Sequence, residues 1–268
     1  MGEMPDTYTL PVILSGRNYV ILGTQRGHGG EVPSGQVPKI IEAMNGAVAL
    51  RAEVNPAILN TRYHPMSIEQ LSLACMKPGQ WQPLATQNAR GEVISDILPT
   101  YGFPRSLYFM HLLMRKLSTP ADEKEFLSDH EKYIRQHEGE ITAEFKKYDG
   151  ILYRIKDFDP AETLKRIYEH RYLLFSGPNL NGIRNQMQVF VGRVIEAELW
   201  RPDVLAMRAG HPNEKIAVEC GGQHTKFFQD LLEGKDIPKP HINDLRNSQK
   251  PAYRRLLDAM LAELKTEK

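Results

Sequence analysis

The sequence is poor in cysteine, nearly neutral in charge and without long apolar runs. Its two cysteines, Cys75 and Cys220, lie in apolar segments. They argue against a disulfide framework or a zinc ribbon and favour a reducing compartment, which we take to be the cytoplasm. No apolar run approaches the roughly 20 residues that a membrane span needs. Residues 1–8 lack the basic region and apolar core of a signal peptide. We therefore expect no membrane partner.

Two nucleotide-binding motifs are missing from the glycine-rich segment 23–35. This segment follows a predicted strand, but no Gly-Lys-Ser/Thr comes after it and the G-x-G-x-x-G spacing is absent. Two interpretations stay open. The segment is either an ordinary surface loop or a loop whose Arg26 and His28 contact the backbone of a substrate.

What is present is the pattern of an α/β protein with a sizeable core. Hydrophobic residues make up 41% and charged residues 25% of the 268 residues. Apolar periodicity and turn residues predict strands at 8–14, 18–22, 48–54 and 93–98, and helices at 38–44, 68–76, 105–117, 120–147, 159–174 and 181–199. A Pro- and Gly-containing stretch at 148–160 indicates a hinge. We therefore divide the chain into 1–150, a mostly helical region with a few strands and no assigned role, and 151–268.

The stretch 200–226 predicts a β-hairpin that leads into a helix. Two short apolar runs, 204–207 and 216–220, flank a break that contains Gly and Pro. If the hairpin is symmetric about His211, Asp203 lies opposite Glu219, with Cβ atoms roughly 4.5–5.5 Å apart. Two carboxylates at that distance need a cation or a shared proton, and oxygen donors favour Mg²⁺ or Mn²⁺. The alternative is that Asp203 only opens a strand and Glu219 is a solvated strand end.

The same residues carry a family resemblance. R-P-D-V at 201–204, followed by K-I-A-V-E at 215–219, resembles the core of the PD-(D/E)XK (restriction-endonuclease-like) nuclease superfamily. The usual lysine, two positions after the second acid, is replaced by Gly221. However, E-C-G-G-Q-H-T-K at 219–226 resembles the YaeQ-like variant, in which the lysine lies on the next helix. The resemblance covers the C-terminal third and implies a restriction-endonuclease-like αβββαβ core within 151–268.

Metal-dependent hydrolysis of phosphodiester bonds is the chemistry that this resemblance implies. Asp203 and Glu219 would bind Mg²⁺ or Mn²⁺, and Lys226 would stabilise the negative charge that develops on the phosphate. The resemblance also requires a glutamate on the helix before the Pro-Asp strand. We choose Glu196 over Glu198, because Arg193, three residues earlier, can neutralise it along the helix.

The implied partner is nucleic acid, either DNA or RNA. Because the net charge is only +1, any nucleic-acid-binding surface must be a local patch. Candidates for contacts to the nucleic-acid backbone are Arg26, His28, Arg254 and Arg255. Two alternatives stay open: a catalytically degenerate nucleic-acid-binding subunit of a larger complex, and a protein unrelated to nucleic acid.

Overall fold

Two units, each assembled from distant parts of the sequence, make up the chain. The computed structural model describes residues 9–25, 28–54, 63–84, 91–105, 107–108, 111, 120–146, 180–243, 254 and 258. The first unit combines Met1–Ala89 with Ile195–Pro238, and the second combines Arg90–Val194 with Lys239–Lys268. Among the described residues, no helix has both the length and the apolar character needed to cross a membrane.

The first unit is built on one five-stranded sheet. Its strands are β1 (Pro11–Gly16), β2 (Tyr19–Thr24), β3 (Ala47–Ala52), β4 (Trp81–Pro83) and β5 (Lys215–Gly221). The spatial order is β1-β2-β5-β3-β4, with β1 antiparallel to β2 and every other neighbouring pair parallel. The last strand in the sequence therefore lies at the centre of a sheet whose other strands come from the N-terminal third.

Helices occur in both units. They are α1 (Val37–Met44), α2 (Ile68–Ala74), α3 (Gly91–Ile97), α4 (Pro120–Ser128), α5 (His130–Lys146), α6 (Leu180–Ile195), α7 (Arg201–Gly210) and α8 (Thr225–Leu232). Ser67 caps α2 as predicted, since its hydroxyl accepts a hydrogen bond of 3.2 Å from the Gln70 backbone N–H. The helices α1 and α2 follow β2 and β3, as parallel strands require a crossover connection.

Both faces of the sheet are buried. One face packs the side chains of β2, β3 and β5 against α1 and α2 in a core that includes Val20, Leu22, Leu50, Ala52, Ala217, Ile40, Met44 and Ile68. Because side chains alternate along a strand, Ile21 and Val218 point to the other face, and both are fully buried as well. The helices α7 and α8 contact these strands. Burial on both sides is typical of parallel sheets, and the predicted α/β class is confirmed.

The second unit is helical in its described residues. In α6, Phe190 stacks on Phe103 with ring centroids 5.2 Å apart. In α4 and α5, Phe126 meets Tyr133 edge to face at 5.7 Å. The predicted helix 120–147 is interrupted at Asp129, whose carboxylate accepts the Lys132 backbone N–H at 2.9 Å and so caps α5. The predicted strand 93–98 is wrong, because 91–97 forms α3.

The predicted hairpin is also wrong. Residues 204–207 lie in α7, where Val204 and Met207 are buried and Leu205 between them is 42% exposed, a spacing of three that suits a helix. Pro202 stands in the first turn of this helix, where a proline is tolerated. Furthermore, β2 and β3 pair with the two edges of β5, which leaves no edge for an antiparallel partner. Asp203 therefore does not oppose Glu219 across a ladder.

The proposed boundary near residue 150 falls within 147–179, which lies outside the described residues, as does the predicted helix 159–174. The structure does place β5 in one sheet with strands from 11–83. The nearest neighbours of Glu219 in the sheet are thus supplied by the N-terminal part of the chain, and this decides the composition of the site described below.

Gly222 provides a test of how closely β5 approaches β2. A Cβ atom at Gly222 would lie 2.6 Å from the backbone oxygen of Thr24, which cannot move without shifting β2. We expect Gly222→Ala to lower the free energy of unfolding by about 1–3 kcal/mol, the usual cost of overpacking. The control is Gly210→Ala at the end of α7, where a Cβ would meet nothing within 4 Å. Urea unfolding of both variants checks this, and equal stabilities would contradict it.

Candidate metal centre at the carboxyl ends of the strands

Three parallel strands end at the same edge of the sheet and bring acidic side chains together. Glu219 lies near the end of β5, level with Leu22 of β2 and Ala52 of β3. Glu53 directly follows β3, and His28 lies in the segment after β2. Glu69 reaches the same place from the first turn of α2. Ligands of open α/β sheets bind outside the carboxyl ends of the strands, so this edge is where a site is expected.

His28 is the centre of the cluster. Its Nδ1 lies 2.9 Å from Glu69 Oε1 and 3.8 Å from Glu219 Oε1. One potential ligand atom from each of these three residues lies within 4.8 Å of the other two. The Gly29 backbone N–H also donates to Glu69 Oε1, at 3.0 Å. An imidazole nitrogen and two carboxylates in this proximity form a donor set that a divalent cation can use.

Glu53 occupies the other side of the His28 ring. Its Oε2 lies 3.6 Å from His28 Nε2 and accepts a hydrogen bond of 2.9 Å from the Gly221 backbone N–H. The Glu53 backbone N–H donates to the Glu219 carbonyl at 2.9 Å, which fixes the end of β3 against β5. The Glu53 side chain is 22% exposed, whereas those of Glu69 and Glu219 are fully buried. Glu53 is thus the carboxylate of this cluster nearest to solvent.

The Glu219 carboxylate is buried without a close hydrogen bond. Neither of its oxygens has a donor within 3.5 Å among the described residues, although the Glu53 backbone N–H acts to lower the pKa of the group, and Glu69 Oε2 likewise has no donor. A buried carboxylate with no donor costs several kcal/mol unless it binds a proton or a cation. These buried oxygens therefore lie next to other potential metal ligands and have no close hydrogen-bond donor. The acids of an ordinary surface cluster are instead hydrated.

The charges of the cluster shift the pKa values of its members. Burial by itself lowers the pKa of His28, but its interactions with Glu53 and Glu69 and the charge of Glu219 outweigh burial and raise that pKa to about 11. Burial, and after it the charge of Glu69, raises the pKa of Glu219 well above its ordinary value. Burial also acts to raise the pKa of Glu53, but the contact with His28 prevails and lowers it. Without a metal, His28 is therefore an imidazolium at pH 7, and Glu219 keeps its proton to a higher pH than an ordinary glutamate.

Gly221 lies beside the cluster and next to His224. A Cβ atom there would lie 3.4 Å from His28 Nε2, 3.5 Å from His224 Cδ2 and 3.6 Å from Glu53 Oε2. These three side chains consequently border one small space above Gly221. The residue that stands where the PD-(D/E)XK lysine is expected is thus the floor of this space.

Glu196 is buried, but its partner is not the predicted one. It lies in a π-helical turn, Glu196–Trp200, between α6 and α7, and its Oε1 is 2.6 Å from His224 Nδ1. The predicted neutralisation by Arg193 is replaced by this contact with a histidine. His224 ends the 3₁₀ turn that links β5 to α8.

Asp203 and Lys226 lie elsewhere. Asp203 is in the first turn of α7, partly exposed. Lys226 is in the first turn of α8, as predicted, but its side chain is 68% exposed and forms an ion pair with Asp230 one turn later. Asp230 also pairs with Lys235, at 2.9 Å. An exposed i, i+4 pair explains why this lysine is tolerated at a helix N-terminus.

The residues predicted to contact a nucleic-acid backbone lie in different environments. His28 lies among carboxylates, with its side chain only 28% exposed, so it is occupied within the cluster. Arg254 is helical and exposed. Arg26 and Arg255 lie outside the described residues.

Glu53 and Glu69 are functional candidates that the sequence interpretation missed. Each carried a local signal: Glu53 lies at the end of the predicted strand 48–54, and Glu69 in the first turn of the predicted helix 68–76. An acid at the carboxyl end of a parallel strand is a reasonable site candidate. The local pattern does not show that β3 and β5 are neighbours in the sheet.

The raised pKa of His28 predicts a pH-dependent stability. A histidine whose folded pKa exceeds the unfolded value of 6.5 contributes stability that is complete below pH 6.5 and is lost as pH rises towards about 11. We expect His28→Asn to destabilise the metal-free protein most at pH 6 and progressively less at pH 8 and pH 10. Urea unfolding in EDTA measures this. Glu42→Gln, which changes an exposed glutamate of α1, is the control and should preserve the wild-type pH dependence. A pH-independent effect of His28→Asn would contradict the charged histidine.

Comparison with models of known protein families, with curated proteins and with solved structures gave no match for this chain. The resemblance to the PD-(D/E)XK superfamily therefore rests on the short motifs at 201–204 and 215–226 alone. The geometry of His28, Glu53, Glu69 and Glu219 is therefore the main evidence for what this protein does.

Proposed function

We propose that this protein is a divalent-metal-dependent hydrolase that cleaves phosphodiester bonds of nucleic acid. The observation that carries the proposal is the fully buried Glu219, whose two oxygens have no hydrogen-bond donor among the described residues and face a histidine and a second buried glutamate. A bound cation supplies the missing partner. Proteins bind Mg²⁺ and Mn²⁺ through such carboxylates.

The donor set favours Mn²⁺ or Mg²⁺ held by Glu69, Glu219 and His28. The two carboxylates suit Mg²⁺ and Mn²⁺, whereas the imidazole is a ligand that Zn²⁺ and Fe²⁺ also accept. Ligands must be deprotonated, so binding would release the proton of His28 and would compete with protonation of Glu219. The imidazolium and the cation therefore compete for the same carboxylates.

A cation in this position would polarise a phosphate and lower the pKa of an attacking water. The chain's own residues would hold the cation and orient the groups around it. Glu69 is fixed by the Gly29 N–H at 3.0 Å and Glu53 by the Gly221 N–H at 2.9 Å. The partly exposed Glu53 is placed to orient a water molecule or a substrate group that enters over Gly221.

The resemblance to PD-(D/E)XK nucleases contributes the substrate class. Glu219 keeps the metal-binding role that the resemblance implies, and β5 with α8 would correspond to one strand and one helix of a restriction-endonuclease-like core. Asp203 and Lys226 are not part of the proposed centre. Glu53, Glu69 and His28 take the place of the missing acid and lysine.

The second candidate is a catalytically degenerate nucleic-acid-binding subunit. One observation favours it: Lys226, the lysine that the resemblance makes catalytic, is exposed and paired with Asp230. In that case His28 neutralises the carboxylates permanently, and the cluster only stabilises the edge of the sheet. Metal affinity distinguishes the two candidates.

Metal binding should stabilise the folded protein. A ligand that binds only the folded state at 100 times its Kd adds about 2.7 kcal/mol to the free energy of unfolding. We expect Mn²⁺ to raise the Tm of the wild type and of Asp203→Asn equally, and the double variant Glu69→Gln, Glu219→Gln to show no shift. Thermal unfolding with Mn²⁺ and with EDTA measures this. A shift that survives in the double variant but disappears in Asp203→Asn would move the site to α7.

Cleavage assays test the function itself. With Mn²⁺ and single- or double-stranded DNA or RNA, Glu219→Gln should abolish hydrolysis. Lys226→Ala should retain it, because the Lys226 side chain is directed to solvent and to Asp230. Loss of a group that stabilises transition-state charge costs about 10²–10³ in kcat, so a decrease of that size in Lys226→Ala would return this lysine to the site. Lys235→Ala, which removes the other partner of Asp230, is the matched control.

A further inference from the structure

A second buried acid–histidine pair lies beside the carboxylate cluster. Glu196 Oε1 and His224 Nδ1 are 2.6 Å apart, and the two side chains are only 11% and 10% exposed. The edge of Trp200 packs against the His224 ring, with centroids 4.8 Å apart. By contrast, the pair of His211 with Glu214, at 2.8 Å, is 36% and 54% exposed. Burial of both partners makes the Glu196–His224 pair costly, so an explanation beyond surface charge is needed.

The His224 ring borders the proposed centre. Its Cδ2 is next to the space above Gly221, which His28 Nε2 and Glu53 Oε2 also border. The Cδ2 atom adjoins Nε2 in the ring, so the nitrogen turned away from Glu196 lies on this side. A group entering over Gly221 would therefore come close to His28, Glu53 and the Nε2 edge of His224.

The contact with Glu196 sets the tautomer of His224. A carboxylate only accepts, so Nδ1 carries the hydrogen and Nε2 of the neutral ring is left with its lone pair. The amide nitrogen of Gln223 lies 3.0 Å from Nε2, consistent with an acceptor there. Gln223 is exposed, and its side chain can turn away when a substrate enters.

We infer that His224 is the general base of the site and that Glu196 is its positioning residue. This assignment rests on the proposed function. In the step, Nε2 takes a proton from the attacking water as the new P–O bond forms, and the P–O bond to the leaving group breaks. The leaving oxygen takes a proton from solvent, and His224 returns its proton to solvent. A carboxylate that orients a histidine in this way is a recurrent catalytic arrangement.

Several charged groups lie around His224. Glu196 contacts it directly, Glu53 interacts with it electrostatically, and His28 borders the same space. The buried thiol of Cys220 lies within the influence of Glu53 and Glu196 as well. Glu196 is the group among these that contacts Nδ1 directly, so it is the one that fixes the orientation of the ring.

The test compares His224→Asn and Glu196→Gln with the surface pair His211→Asn and Glu214→Gln. With Mn²⁺ and the cleavable substrate, His224→Asn should lower kcat by about 10²–10⁴, the usual contribution of a general base, while calorimetry shows unchanged Mn²⁺ affinity. Glu196→Gln should lower kcat less than His224→Asn does, and Glu196→Asp, which keeps a carboxylate beside Nδ1, should recover part of that loss. The surface variants should match the wild type in kcat and in Mn²⁺ affinity. Circular dichroism confirms folding, and His224→Gln replaces His224→Asn if the latter does not fold.

The outcomes separate this assignment from the proposed function. A wild type that cleaves, with His224→Asn equally active, overturns the general base alone. A wild type that cleaves nothing with any divalent metal overturns the proposed function and the assignment together. A readout independent of hydrolysis is the ¹⁵N spectrum of the ring: neutral His224 should be protonated at Nδ1. Protonation at Nε2 would overturn the assignment whatever the activity.

Discussion

The burial of the Glu219 carboxylate at the centre of a parallel sheet is the constraint on which this site depends. β5 is paired on both sides, with β2 and β3, so its side chains have no access to solvent through a sheet edge. A carboxylate in such a place must be neutralised, since an isolated buried charge is not tolerated. Glu69 worsens the problem by adding a second fully buried acid. His28, held against both, offers the only cationic side chain of the cluster among the described residues.

The resulting site has two ways of balancing its charge. Without metal, the imidazolium of His28 reduces the negative charge, and the raised pKa of Glu219 favours its neutral form. In the proposed metal-bound form, the proton of His28 would leave and the same oxygens would become ligands. Folding stability, metal affinity and pH would then be linked through one small group of atoms. The neighbouring Glu196–His224 pair belongs to the same edge, because the turn after β5 carries His224 back over Gly221.

Several parts of the fold follow from local patterns. β2, β3, α1, α2, β5 and α8 correspond to predicted elements, because each has strong apolar periodicity bounded by a cap, a proline or a glycine. The predicted strand at 204–207 is wrong, since a four-residue apolar run suits either a strand or one turn of a helix. The position of Asp203 opposite Glu219 depends on that strand and is wrong with it. The helix α7 instead presents Val204 and Met207 to the core and leaves Asp203 in its first turn.

The sequence by itself determined the α/β class, the strand that carries Glu219, and the positions of Glu196 and Lys226 on their helices, because these depend on contacts between near neighbours in the chain. Only the tertiary structure decided which acids meet. β5 inserts between β2 and β3, and this brings together Glu219, Glu53 and His28 from segments up to 191 positions apart, with Glu69 added from α2. No local pattern specifies such an insertion. The order of the strands depends on the burial of whole faces of the sheet. That burial arises only when residues distant in sequence come together in the folded chain.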